Sequence, residues 1–203
     1  EHALAIALPA LRAPPLAVTS AAGYGPPHSA GAADAATSDG GGPVTRGINH
    51  VALVCSDMAA TVRFYSSLLG MRVVKTIALP DGGQHFFLDM GDEAGGGTLA
   101  FFWWPDDGKT PPHAPGVATA ARDALARGHQ PRSAPGSLNH IAFTVPEAQL
   151  AATRARLQRA GVWCSAVVHH ADSRSGFAAR RDDERVIVVS TYFFGPDGEM
   201  IEL

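Results

Sequence analysis

Gly47-Ile-Asn-His50-Val-Ala-Leu-Val54 and Ser137-Leu-Asn-His140-Ile-Ala-Phe-Thr144 are one phrase written twice. Apolar residues dominate both copies, many of them β-branched or aromatic, so each predicts a β-strand with a histidine at the same place. Side chains alternate across a strand. His50, Ala52 and Val54 therefore share one face, and Val51 and Leu53 the other; the same parity groups His140, Ala142 and Thr144. The small residues beside each histidine leave room for a pocket, while Val51, Leu53, Ile141 and Phe143 suit packing under a helix.

Outward from the first copy, Asp57 is placed to cap a helix over Met58 to Leu69, ended by Gly70. Met58, Val62, Tyr65 and Leu69 share one face of it. Strands follow at Met71 to Leu79, Gln84 to Met90 and Thr98 to Trp104, punctuated by Pro80-Asp-Gly-Gly83 and Gly91 to Gly97. After the second copy, over Leu138 to Val145, come a helix from Glu147 to Ala160 ended by Gly161 and a strand from Val162 to Val168. A polar loop from His169 to Glu184 then leads to strands at Arg185 to Phe194 and Glu199 to Leu203. Both halves read βαβββ, with 20 residues from His50 to Gly70 and 21 from His140 to Gly161. Repetition on this scale predicts a duplicated supersecondary unit whose halves bury each other's sheets.

The organisation expected is a disordered Ala/Pro/Gly-rich leader over 1–44, a first module over 45–104, a proline-rich connector over 105–136 with a short helix from Val117 to Arg127, and a second module over 137–203. Residues 45–203 make one domain. The chain has 203 residues and 46% hydrophobic content, enough for a sizeable core. A net charge of -3 supplies no basic stripe for nucleic acid, and no apolar run reaches bilayer length, so neither nucleic acid nor membrane is expected as a partner. The two cysteines, Cys55 and Cys164, sit in apolar stretches outside any metal or redox spacing, which suits buried thiols in a reducing cytoplasm.

On the last strand Met200 and Glu202 share a face, and an acid within Met-Ile-Glu-Leu is costly to bury unless paired or bound to a metal. With Asn49-His50-Val-Ala, Phe64-Tyr65-Ser-Ser-Leu-Leu-Gly70, Asn139-His140-Ile-Ala and Phe194-Gly-Pro-Asp-Gly198-Glu-Met-Ile-Glu202-Leu203 in this order, residues 46–203 resemble the vicinal oxygen chelate superfamily. That superfamily includes glyoxalase I, extradiol dioxygenases, bleomycin-binding proteins and methylmalonyl-CoA epimerase. The resemblance implies an α+β fold, two βαβββ modules forming a cupped, incomplete mixed barrel with helices outside. It also implies a divalent metal held by the first and last strands of each module. His50, His140 and Glu202 match three ligand positions; the fourth falls near Ala100, on a strand with no acid, His or Cys.

Two histidines and one carboxylate leave an open face for two substrate oxygens and O2, the arrangement of non-haem Fe(II) oxygenases. Tyr192, ten residues before Glu202, matches the active-site tyrosine of the extradiol dioxygenase signature; its other reading is an aromatic packed in the barrel. The signature departs at Thr191 and Gly195, and no histidine lies seven to nine residues upstream of Tyr192, leaving His85, His129, His169 and His170 as substitutes. The leading expectation is an Fe(II) enzyme acting on a catechol-type or other oxygen-chelating aromatic, as a monomer or homodimer, with Tyr192 catalytic. A glyoxalase-like lyase or isomerase using Mn, Ni, Co or Zn, and a non-catalytic binding or resistance protein, are the alternatives.

Overall fold

The structure, a computed structural model, describes residues 47–91, 97–106, 117–129, 131–174, 176–178, 180 and 182–203. The leader expected over 1–44 and part of the connector, 107–116, lie outside the described residues. The described chain is mixed α+β with open sheets and no closed barrel: β1 (His50–Val54), α1 (Met58–Leu69), β2 (Arg72–Ala78), β3 (Gln84–Asp89), β4 (Thr98–Trp103), α2 (Val117–Ala126), β5 (Ile141–Ala142), α3 (Glu147–Arg159), β6 (Val168–Ala171), β7 (Val186–Ser190), β8 (Tyr192–Phe194) and β9 (Met200–Glu202). No helix among the described residues is long and apolar enough to cross a membrane.

α1 begins where expected, the Asp57 carboxylate accepting from the Ala60 amide at 2.9 Å, and ends at Gly70, whose φ of 77° is left-handed. It packs on a four-stranded sheet of order β1-β4-β3-β2, in which β1 and β4 are parallel and the rest antiparallel. A Cβ at Gly97 would overlap the Ile48 carbonyl, so glycine is what lets the head of β4 close on the His50 strand. The register sorts the sheet into two faces. Leu88, Leu99 and Phe101 are fully buried with Tyr65 and Met58 on the helix side, each worth about 1.5–3 kcal/mol of hydrophobic burial. His50, Ala52, Ala100, Phe102, His85 and Phe87 take the other, inner face.

The second module repeats the parallel pairing: β5 lies beside β9 with Ala142 opposite Glu202, and β9 pairs antiparallel with β8 with Tyr192 opposite Glu202. The strand expected over Arg185 to Phe194 is divided. It pairs with β6 as far as Ser190, then leaves that partner and joins β9 from Thr191, whose amide and carbonyl both bond to Leu203 at 3.0 Å. Only Ile141 and Ala142 of the expected Leu138-to-Val145 strand enter a ladder, and the expected Val162-to-Val168 strand has a single bridge, Cys164 to Phe193, before Val168 opens β6. Ladder pairing needs a partner within reach, and α3, with Pro146 at its N-cap position, begins five residues after Ala142.

The modules share packing as well as pattern. Phe64, Leu69, Ile141 and Phe143 lie against both buried clusters, and the Arg156 guanidinium donates to the Leu68 carbonyl at 2.8 Å. The Tyr65 hydroxyl donates to Glu199 Oε1 at 2.7 Å, and the Ser56 amide to Asp197 Oδ2 at 3.1 Å.

Candidate metal centre

Glu202 is 7% exposed, and its two carboxylate oxygens have different partners. Oε2 lies 2.8 Å from His140 Nε2, and Oε1 accepts from the Ser190 hydroxyl. On the far side of the imidazole, His140 Nδ1 meets Asn139 Oδ1 at 2.8 Å. The orientation of that amide is itself determined, because Asn139 Nδ2 donates to the Pro131 carbonyl at 3.0 Å and Ser133 Oγ at 2.7 Å. Asn139 Oδ1 is therefore left to accept from His140, which turns Nε2 toward the carboxylate.

His50 repeats the local geometry, with Nδ1 2.8 Å from Asn49 Oδ1. Its surroundings differ: it is exposed at the head of β1, with its ring edge-on to Phe87 at 5.9 Å and no carboxylate opposite. Ala52 pairs with Ala100 as Ala142 pairs with Glu202, so Ala100 occupies the register position of Glu202 in the first module. Of the three sequence-matched ligands, the structure brings His140 and Glu202 together and holds His50 apart. Among the described residues, no group of three or more His, Cys, Asp or Glu side chains is gathered closely enough to hold a metal ion.

The donors present nevertheless suit a divalent metal. Each histidine has Nδ1 engaged by an asparagine oxygen, which sets the tautomer that offers Nε2, and the glutamate is steadied through one oxygen while presenting the other. Imidazole nitrogen with carboxylate oxygen is a set for Fe, Mn, Co, Ni or Zn. If Glu202 ligates a metal, replacing Ser190 by Ala, which frees Oε1, is expected to lower the metal affinity by about 10–100-fold, measured by competition with a chelator; an unchanged affinity would show that the carboxylate needs no anchor.

Tyr192 is 1% exposed and stands beside the pair, its ring edge-on to His140 at 5.8 Å. Its hydroxyl lies 2.9 Å from His170 Nε2. His169 and His170 lie in β6 rather than in the loop expected there. His129 and His169 line a groove of about 280 Å³, with Leu125, Val168, Phe177 and Tyr192. His85, on the inner face of the first sheet, is pushed below the usual imidazole range by burial and by the nearby His50. Both cysteines are unpaired thiols, and burial raises Cys55 to about 11, which removes it from nucleophilic chemistry at neutral pH. Beside the residues expected from sequence the structure sets Ser190, against Glu202, and His170, one of the histidines named above as substitutes, against Tyr192. Ser190 was within reach of strand parity, two residues before Tyr192; the pairing of His170 with Tyr192, 22 residues apart, had no local signal.

A duplicated βαβββ unit, with a histidine heading the first strand of each half and a buried glutamate on the last, places the chain in a defined class. The model of the Glyoxalase/Bleomycin resistance protein/Dioxygenase superfamily matches residues 47–203, and the chain belongs to that family. Among solved structures, it is similar to SMU.1112c (25% identity, 78% of this chain and 97% of that one, TM-score 0.52). It is also similar to the glyoxylase/bleomycin resistance protein/dioxygenase domain from Frankia sp. EAN1pec (16%, 78% and 95%, 0.52). The fosfomycin resistance protein FosX from Mesorhizobium loti is a further match (17%, 78% and 90%, 0.47). No curated protein matches the sequence.

Proposed function

We propose that the protein is an extradiol-type oxygenase acting on a catechol-like aromatic, with Fe(II) held by His50, His140 and Glu202. The observation that carries this is the Tyr192–His170 hydrogen bond beside the His140–Glu202 pair. It supplies a tyrosine with a histidine partner, the acid–base pair that the chain lacks at the usual sequence distance. Ala100, in the place of a fourth ligand, favours an open three-ligand face over the four-ligand glyoxalase arrangement. His50 joins the other two when the inner faces of the modules close on each other, within one chain or between the chains of a homodimer; solution mass separates these cases. Two buried free thiols suit a reducing, cytoplasmic setting.

When bound, the metal would supply a Lewis-acidic, redox-active centre where two substrate oxygens and O2 meet. The protein's own part is proton management. Tyr192 can pass its hydroxyl proton to His170 Nε2 while its oxygen takes the proton of a substrate hydroxyl. Packing against His140 keeps the phenol in place for this. The test is catechol-dependent O2 uptake by Fe(II)-loaded protein, abolished in His140→Ala and reduced about 100-fold or more in Tyr192→Phe. Absence of uptake with every catechol tried sinks the proposal. Turnover of a hemithioacetal with Ni(II), Co(II) or Zn(II) and no O2 consumption would assign a lyase or isomerase instead, and aromatic binding without bound metal a resistance protein.

A further inference from the structure

α2 belongs to the connector and to neither βαβββ half, yet it lies on the second sheet. Its Ala121, 5% exposed, is buried with Tyr192, Phe194 and Met200, and Leu125 packs on the same cluster beside Trp163 and Val168. The Arg122 guanidinium stands 5.3 Å from the centre of the Phe194 ring. Tyr192 pairs with Glu202 and Phe194 with Met200, and alternate residues share a face, so α2 covers part of the face that carries Glu202. Its attachment is slight. Among the described residues no hydrogen bond or ion pair joins α2 to any part of the chain beyond its own C-terminal turn. By contrast, α1 is tied by Tyr65 to Glu199, and α3 by Arg154 to the Ser165 carbonyl and by Arg156 to the Leu68 carbonyl. Gly128, whose φ of 73° is left-handed, turns the chain at the end of α2, and beyond it Pro131 and Ser133 are held by Asn139 Nδ2 at 3.0 and 2.7 Å. Lifting α2 about that turn breaks no hydrogen bond to the sheet.

We infer that α2 is an autoinhibitory cover, which holds the inner face of the second sheet and must leave before that face can close on the inner face of the first. Two surfaces cannot occupy one face, so apparent metal affinity falls in proportion to the fraction of molecules uncovered. This competition rests on the metal-site reading above, in which His50 reaches His140 and Glu202 through that closure; the cover itself does not. Docked, α2 also keeps Tyr192 at 1% exposure, out of reach of solvent and of reagents.

Two measurements on the full chain test this. In the metal-free protein, nitration by tetranitromethane is mapped by mass spectrometry at Tyr192, with the fully buried Tyr65, which lies in a different cluster, as internal control. Ala121→Gln keeps a good helix former but sets an oversized polar side chain against Tyr192 and Met200; it is expected to speed nitration of Tyr192 about tenfold and leave Tyr65 unchanged. Arg122→Ala, which removes only the contact with Phe194, gives a rise of about two- to fivefold. An unchanged Tyr192 rate in Ala121→Gln, or a rise at Tyr65 that matches it in both variants, would overturn the cover, the latter by making α2 a support of the whole fold. The second measurement is Mn(II) affinity by electron paramagnetic resonance, expected to be about tenfold tighter in Ala121→Gln than in the unaltered chain. Equal affinities would overturn the competition. Binding of Mn(II) by neither protein would sink the metal-site reading and the competition with it, while nitration still decides whether α2 is the cover.

Discussion

Replacing Glu202 by Gln is expected to abolish metal retention and catechol-dependent O2 uptake while leaving the protein folded. The expectation follows from how the carboxylate is divided. Oε1 accepts from the Ser190 hydroxyl, which an amide oxygen can still do, and Oε2 faces His140 Nε2 at 2.8 Å, which an amide nitrogen can meet as donor to the neutral imidazole. The neighbouring backbone is unaffected, since Ala142 and Tyr192 flank Glu202 through the ladder and not through its side chain. The stability cost is therefore about 1 kcal/mol, the net value of an ordinary hydrogen bond. The metal fares differently. An amide nitrogen is no ligand and the charge is gone, so affinity should fall by about 100-fold or more, at or beyond the upper range for disturbing a ligand's support. Iron content after passage over a chelating resin, with thermal unfolding as the control, gives the answer. A variant that keeps stoichiometric iron and turns over catechol would remove Glu202 from the site.

The scaffold was legible because it is written in local signals. Asp57, the apolar face of α1 and Gly70 define a helix whose observed ends, Met58 and Leu69, are those expected. Strand parity alone put His50 with Ala52 and Val54, and His140 with Ala142, on the inner faces, and the Ala100 position follows from equivalent parallel registers. The site's supporting contacts are non-local. Thr191 is where one extended run exchanges β6 for β9, a choice made by partners distant in sequence, and that exchange brings His170 to Tyr192 and Ser190 to Glu202. The near-identical Asn-His phrases also concealed a difference. His140 has a carboxylate opposite it and connector residues Pro131 and Ser133 holding its asparagine, whereas His50 begins an aromatic ladder. Register, not the phrase itself, gives the two histidines different company.

A large stability effect is expected at Gly195, one of the positions at which the sequence departs from the extradiol dioxygenase signature. A Cβ at Gly195 would overlap the carboxyl of Glu199, which folds back over the turn to accept from the Tyr65 hydroxyl at 2.7 Å and the Asp197 amide at 3.0 Å. Gly195 is not among the glycines with positive φ, so alanine there meets a packing conflict and no backbone strain. Gly195→Ala must expel the Glu199 carboxyl and leave the buried Tyr65 hydroxyl without its acceptor, at a cost of about 2–3 kcal/mol. Glu199→Ala opens that space, so adding Gly195→Ala to it should cost less than about 0.5 kcal/mol, giving a coupling of about 2 kcal/mol in a double-mutant cycle by urea unfolding. Additive effects of the two substitutions would refute the exchange of side chain for space. The same carboxyl carries a pH signature. Burial first, and the nearby Asp197 charge, raise Glu199 above its ordinary 4.5, while the bond from Tyr65 opposes the shift. The folded state thus holds this proton more tightly than the unfolded chain. Its stabilising share is complete below pH 4.5 and is lost as pH rises through the elevated value, so Glu199→Gln should flatten the decline of stability above pH 4.5. An unaltered slope in the variant would mean that the clasp between the modules works with its carboxylate charged.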